Sequence, residues 1–325
     1  MLAGAATGCG ASEPPTGPDP DGPSDTVPPR PLLEGTWTRG PDLPVGLYSP
    51  SVHLHGGVIH VLGGATRQYG SDEGTTTRTF LLDPSVDTTW RIGPDYPVEG
   101  MRVGLASRGD TLYGVGGLAF PGKRWDRFFR LLPGAVEWER LPFPDEPRGL
   151  ISALAVDGGL LVFEEGGSGA MWRWEKATDA WTRAAPQPLP RMDARMVRTG
   201  GAVYVAYGED PLATALSVNF IDRYDPGTDS WTRPTFGPSS RRDAGVAAAD
   251  GRIHVVGGLD PAFRLTATHD AYEPATDTWY EAPALPEARA GLMGVAVGGS
   301  VWFMGGGTPA ATPGLRREVW IFTPS

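Results

Sequence analysis

Tyr224-Asp225-Pro226-Gly227-Thr228-Asp229-Ser230-Trp231 and Tyr272-Glu273-Pro274-Ala275-Thr276-Asp277-Thr278-Trp279 are one turn written twice. An acid followed by proline starts a turn, because proline presets φ and the acid caps nearby backbone N–H groups. Outward from this pair, tryptophan recurs in the same role at Trp37, Trp90, Trp138, Trp181, Trp231 and Trp279. In all six units the second residue of a marked pair lies 27 residues after the tryptophan: Gly63-Gly64, Gly116-Gly117, Glu164-Glu165, Tyr207-Gly208, Gly257-Gly258 and Gly305-Gly306. A register kept across units of unequal total length is the mark of a repeat architecture. Short β-branched runs such as Ile253-His254-Val255-Val256, ending at a glycine pair, suit a buried strand that meets a tight bend. Pairs such as Gly158-Gly159 and Asp250-Gly251 suit hairpins.

The order aromatic-acid-Pro-x-Thr-Asp-x-Trp, then Leu285-Pro286-x-x-Arg289, then Gly251-x-Ile253-His254-Val255-x-Gly257-Gly258 resembles the kelch repeat. The resemblance runs from Trp37 to Phe322 and implies propeller blades of four antiparallel strands around a channel. The four strands are A (after the Arg), B (into the glycine pair), C (into the acid-Pro turn) and D (around the Trp). The chain opens on a lone D strand at Trp37 and stops on a C strand at Trp320-Ile321-Phe322. Joining the two completes a sixth blade and removes an open edge. The expected fold is an all-β six-bladed propeller whose N-terminal strand closes the last blade.

Composition agrees. The 325 residues include 46 glycines and 33 prolines but only 20% charged residues, which disfavours a helical bundle. Net charge is −10, with no Lys/Arg-rich run to attract phosphate, so nucleic acid is not an expected partner. Only Lys123 and Lys176 are lysines among the 28 basic residues, so arginine is weak evidence for function by its identity alone. The lone Cys9 excludes an intramolecular disulfide framework and multi-cysteine metal sites. Residues 10–33 are rich in Pro, Gly, Asp and Ser and read as a disordered tether ahead of a propeller over 34–325. Residues 1–9 resemble the end of a bacterial lipoprotein signal, with small residues preceding Cys9. That resemblance implies lipidation at Cys9, an extracytoplasmic location and no other membrane attachment; a cytoplasmic protein with a disordered tail is the alternative.

Unit lengths differ only between the glycine pair and the next tryptophan, so the B–C loops vary, and loops on a rigid scaffold usually carry binding. The longest, 65–79, holds Arg67, Tyr69, Asp72 and Glu73. On the same face Arg148, Arg191, Arg241 and Arg289 each follow their tryptophan by ten residues, while Leu47 and Gly100 stand there in the first two units, beside Tyr48, Met101 and Arg102. Two readings stand open. The arginines form an arc, with Arg102, that holds an anionic glycan or acidic peptide by charge-assisted hydrogen bonds; or they belong to the repeat itself, paired with acids such as Asp193 and Asp243. Trp125 is a candidate for stacking on a sugar. Glu165 and Glu209 are the candidate proton-transfer groups if the protein is an enzyme.

His60 and His254 occupy one repeat position on strand B and read as packing residues. His53 and His55 lack a third ligand in spacing, so no metal and no cofactor are expected. The copper chemistry of galactose oxidase needs a cysteine that the propeller lacks, and sialidase-type Ser-x-Asp-x-Gly-x-x-Trp turns are absent from the sequence. The leading expectation is a non-enzymatic propeller that binds a protein, peptide or glycan through the B–C/D–A face. The alternative is a periplasmic carbohydrate-active enzyme similar to kelch-type sialic acid mutarotases.

Overall fold

A computed structural model describes residues 29–66, 74–119, 123–124, 127–144, 150–165, 169–210, 217–307 and 314–325. Six four-stranded antiparallel sheets follow one another along the chain. Blade 1 comprises Ser51–His55, Val58–Leu62, Thr79–Leu82 and Arg91–Ile92; blade 2, Gly104–Arg108, Thr111–Val115, Phe128–Leu131 and Glu139–Leu141. Blade 3 comprises Leu150–Val156, Gly159–Glu165, Met171–Glu175 and Ala180–Ala184; blade 4, Arg195–Thr199, Ala202–Ala206, Phe220–Asp225 and Ser230–Phe236. Blade 5 comprises Gly245–Ala249, Arg252–Val256, His269–Glu273 and Thr278–Ala282. Blade 6 takes Ala290–Val297, Ser300–Gly307 and Val319–Pro324 from the C-terminal end and Gly35–Arg39 from the N-terminal end, with Trp37 opposite Phe322. The expected closure, one strand plus three, is the observed one.

The core is divided among the blade interfaces, because each twisted sheet buries both faces against its neighbours. Tyr113 and Phe128 of blade 2 pack on Leu160 and Trp174 of blade 3. Val256 and Ala271 of blade 5 pack on Leu292 and Phe303 of blade 6, and Trp302 and Met304 of blade 6 on Ile59 and Phe80 of blade 1. Five of the six recurring tryptophans, on or beside the outermost strands, latch their blade to the one before, while Trp138 Nε1 of blade 2 is buried without a hydrogen-bond partner among the described residues. Trp90 Nε1 donates to Pro41 O (2.9 Å), Trp181 to Pro142 O (3.2 Å), Trp231 to Ala185 O (2.8 Å), Trp279 to Thr235 Oγ1 (3.1 Å) and Trp37 to Pro283 O (2.7 Å).

The propeller unit runs from Pro31 to Ser325, three residues earlier than the sequence suggests. Leu33 N donates to Glu281 O (2.8 Å) and Glu281 N to Pro31 O (3.0 Å), and the Leu33 side chain is buried with the core between blades 5 and 6. One apolar residue with a free strand edge beside it is enough to draw this segment onto the sheet, where composition alone assigns it to the tether.

In five units the marked pair takes left-handed φ, from +58° at Tyr207 to +116° at Gly117. Glutamates adopt that conformation only at a cost. In blade 3 the strand therefore runs on through Glu164 to Glu165, in register with Leu150. That extension carries a carboxylate into the channel.

Candidate functional site

The six A strands line the channel, and at its B–C/D–A end they enter it through a rim. Ser49, Arg102, Asp193, Asp243 and Gly291 stand at one repeat position in five units, all with φ between +47° and +66°. This turned backbone faces the next blade. Gly291 N donates to Asp243 O (2.9 Å), Ser49 N to Gly291 O (2.8 Å) and Arg102 N to Ser49 O (3.2 Å), joining blades 5, 6, 1 and 2. Gly291 is required twice, by its φ and because a Cβ there would stand 2.4 Å from the Tyr48 ring.

Side chains from the rim cross the channel. Arg102 of blade 2 reaches Asp193 and Asp243 of blades 4 and 5 with its two terminal nitrogens. Tyr48 Oη donates to Asp243 Oδ2 (2.9 Å), and burial, then the Asp243 charge, pushes the phenol well above its ordinary value. Beneath lies Arg195, 5% exposed, whose Nη1 donates to Ala194 O (3.1 Å). Its Nε and Nη2 are buried without a hydrogen-bond partner among the described residues, and so is Glu165 Oε2. Glu165 Oε2 lies 3.8 Å from both Arg195 Nη1 and Arg102 Nη1, and Asp243 Oδ1 lies 4.0 Å from Arg195 Nη2. The other Glu165 oxygen accepts from Ser152 Oγ (3.0 Å). Burial, and next the like charge of Arg102, lowers the Arg195 guanidinium from its ordinary value.

These groups open on a cavity of about 330 Å³ lined by Arg102, Ser152, Glu165 and Arg195 at the rim and by apolar side chains such as Leu105, Met196, Val246 and Val295 along the walls. A concave, mainly apolar space with a few convergent polar groups is the usual form of a small-ligand site. Buried polar atoms left unpaired in it need an account, since each costs about 1–3 kcal/mol.

Three of the four arginines at the repeat position are elsewhere. Arg191, Arg241 and Arg289 are no more than 1% exposed and lie inside their blades, not around the channel mouth. Arg191 donates to Tyr207 O (2.9 Å), Phe220 O (3.1 Å), Val205 O (3.1 Å) and Asp222 (2.9 Å). Arg241 holds Gly257 O (3.2 Å), Thr268 O (2.9 Å) and Asp270. Arg289 meets Glu287 (2.9 Å) and Glu318 (3.6 Å). Burial lowers Arg191 to about 10 and lowers Arg289 as well, against the pull of their acids. A guanidinium has five donors in a fixed fork, and here the fork fastens the end of strand B to the start of strand C. For these three residues the exposed arc is replaced by interior staples. The acids are Asp222 and Asp270 on strand C and Glu318 just before it, not Asp193 and Asp243.

Glu209 pairs with Arg242 (2.9 Å), whose guanidinium covers the Phe263 ring at 3.8 Å, so it stands apart from Glu165. His254 and His60 are buried packing residues of strand B, as their repeat position implies. His53 Nε2 meets Ser107 Oγ at 2.8 Å on the channel wall. Arg148, Trp125, Cys9 and the loop residues Arg67, Tyr69, Asp72 and Glu73 lie outside the described residues. Arg195 is the residue that sequence reasoning missed. Its repeat position holds Ser51, Gly104, Ser152, Gly245 and Met293 in the other units, so a large cation there was a readable departure.

Sheet closure, repeat register and polar rim define a six-bladed β-propeller. No protein-family model matches the sequence. A kelch-like protein, terF, of Aspergillus terreus (strain NIH 2624 / FGSC A1156) is 27% identical over 203 residues, 58% of this chain and 44% of that protein. The chain thus spans less than half the length of this curated relative. Among solved structures, the one titled "Structure of YjhT" superposes with a TM-score of 0.73 over 86% of this chain and 95% of that one, at 14% identity, a likeness of fold alone. The protein is a six-bladed β-propeller that is similar, over part of its length, to a kelch-like protein.

Proposed function

We propose that the protein is a non-enzymatic binding propeller whose ligand, a group on a protein, peptide or glycan, seats at the B–C/D–A mouth of the channel. The observation that carries this reading is the pair of buried, incompletely bonded side chains, Arg195 and Glu165, on a cavity of ligand size. The experiment is a thermal-shift screen of the whole protein against neutral sugars, sialic and uronic acids and acidic peptides, alongside Arg195→Met. At least one class is expected to raise the melting temperature of the native protein and leave the variant unmoved; a ligand at 100 times its dissociation constant adds about 2.7 kcal/mol. No shift with any class, or the same shift in both proteins, overturns the reading.

A second reading, a carbohydrate-active enzyme, draws on Glu165 as a carboxylate beside a guanidinium inside the cavity. NMR of anomeric exchange separates the two: a rate enhancement lost in Glu165→Gln while binding persists favours the enzyme.

The binding reading includes display outside the cytoplasm on an acylated Cys9. Labelled palmitate is expected to enter the native protein and not Cys9→Ala. Equal labelling of both, or of neither, removes the anchor.

A further inference from the structure

Charge and spacing at the rim restrict the chemistry of the ligand, an inference that rests on the binding function proposed for this mouth. Three carboxylates, Glu165, Asp193 and Asp243, surround two guanidiniums, Arg102 and Arg195. Both terminal nitrogens of Arg102 are already spent on Asp193 and Asp243. An anion arriving here meets an excess of negative charge, with Arg191, Arg241 and Arg289 sealed inside their blades.

Arg195 is held off from its neighbours on two sides, 3.8 Å from Glu165 Oε2 and 4.0 Å from Asp243 Oδ1. Both gaps exceed a hydrogen bond, which closes at about 2.7–3.2 Å. With a small shift of the side chains, a single oxygen seated beside either gap, not within it, comes into hydrogen-bond reach of both partners. That oxygen has to accept from a guanidinium N–H and donate to a carboxylate. A hydroxyl does both; a carboxylate or phosphate ligand only accepts, and an ammonium only donates.

We infer that the rim binds a neutral, hydroxyl-bearing ligand, a sugar or related polyol, whose hydroxyls bridge Arg195 to Glu165 and to Asp243. The apolar walls below, from Leu105, Met196 and Val246, then receive the C–H faces of the ring. Charged sugars and acidic peptides are disfavoured by the same carboxylates.

The test is isothermal titration of the whole protein with D-galactose, trehalose and myo-inositol as neutral probes and with glucuronate, N-acetylneuraminate and a polyglutamate peptide as anionic ones, at two salt concentrations. Binding of a neutral probe is expected, little changed by salt, and weakened about tenfold or more in Arg195→Met. Glu165→Gln keeps the shape of the side chain and removes its charge; it is expected to weaken the neutral probe and to improve any residual anion binding. Folding of both variants is checked by near-UV circular dichroism. Salt-sensitive binding of anions through Arg195, with no neutral probe bound, overturns the hydroxyl assignment and leaves the binding site standing. Failure of all six probes means that the gaps hold water only, and both statements fall.

Discussion

Replacing Arg241 with alanine is expected to remove about 3–5 kcal/mol of folding free energy, seen as a large fall in the urea midpoint. Asp270 is fully buried and would lose the guanidinium that faces it, while Gly257 O and Thr268 O each lose the arginine's N–H, Thr268 O keeping Gly257 N. Removing one member of a buried ion pair is much costlier than removing both, because the remaining charge stays in a low-dielectric interior. Arg241→Met with Asp270→Leu is therefore expected to recover much of the loss. A single variant as stable as the native protein would mean that this guanidinium is solvated, contrary to its place in the blade. The contrast with Arg195→Met is informative, because Arg195 has few bonds to lose.

The second large effect depends on pH. His254 Nδ1 and His269 Nε2 are 2.9 Å apart, and His269 Nδ1 faces Pro283 O at 3.2 Å. With both rings neutral, one proton arrangement satisfies this series: His269 Nδ1 donates to the carbonyl and its Nε2 accepts from His254 Nδ1. Burial pushes His254 down to about 4, and burial together with His254 pushes His269 well below its ordinary value. In the unfolded chain both take up a proton near pH 6.5. Between pH 6.5 and 4 the unfolded state therefore binds more protons than the native one, and stability falls as pH falls. At pH 5, His254 alone accounts for on the order of 2 kcal/mol. His53 and His60, each lowered to about 4 by burial, act in the same direction. The check is a series of urea midpoints from pH 7.5 to 4.5 with ring-proton NMR of the native state. Imidazole signals that titrate near 6.5 in the folded protein would contradict it.

Blade number, closure and the two faces were legible in the sequence because they depend on spacing, and spacing survives in residues of no chemical interest, such as Gly64 and Pro286. Partnerships were not. Arg241, in the segment that enters strand A of blade 5, and Asp270, on strand C, are 29 residues apart, and nothing local distinguishes an arginine aimed at solvent from one folded into its own blade. Asp222 and Asp270 stand at one position on strand C, two residues before Tyr224 and Tyr272, and are a usable signal for the staples. Glu165 was found because it broke the glycine pattern. Arg195 was missed because its four-residue offset from Arg191 put it behind a more regular neighbour. Three-dimensional departures from a repeat show in sequence only when every repeat position is compared, the variable ones included.

The rim bonds from blade 5 through 6 and 1 to 2 are accompanied by a second set, Gly258 N to Arg289 O (2.9 Å), Gly306 N to Leu47 O (2.7 Å) and Gly64 N to Gly100 O (2.8 Å), across the same three junctions. The sector where the chain's two ends meet is thereby sewn twice. Blades 3 and 4, which supply Glu165 and Arg195, lie on the other side of the ring. Among the described residues neither set continues across the junction of blades 4 and 5, and in a circular molecule under thermal stress deformation collects at the less braced junction. Amide exchange should accordingly be slow at the terminal seam and faster beside the polar pocket, which gives an incoming ligand walls that yield without the ring coming undone.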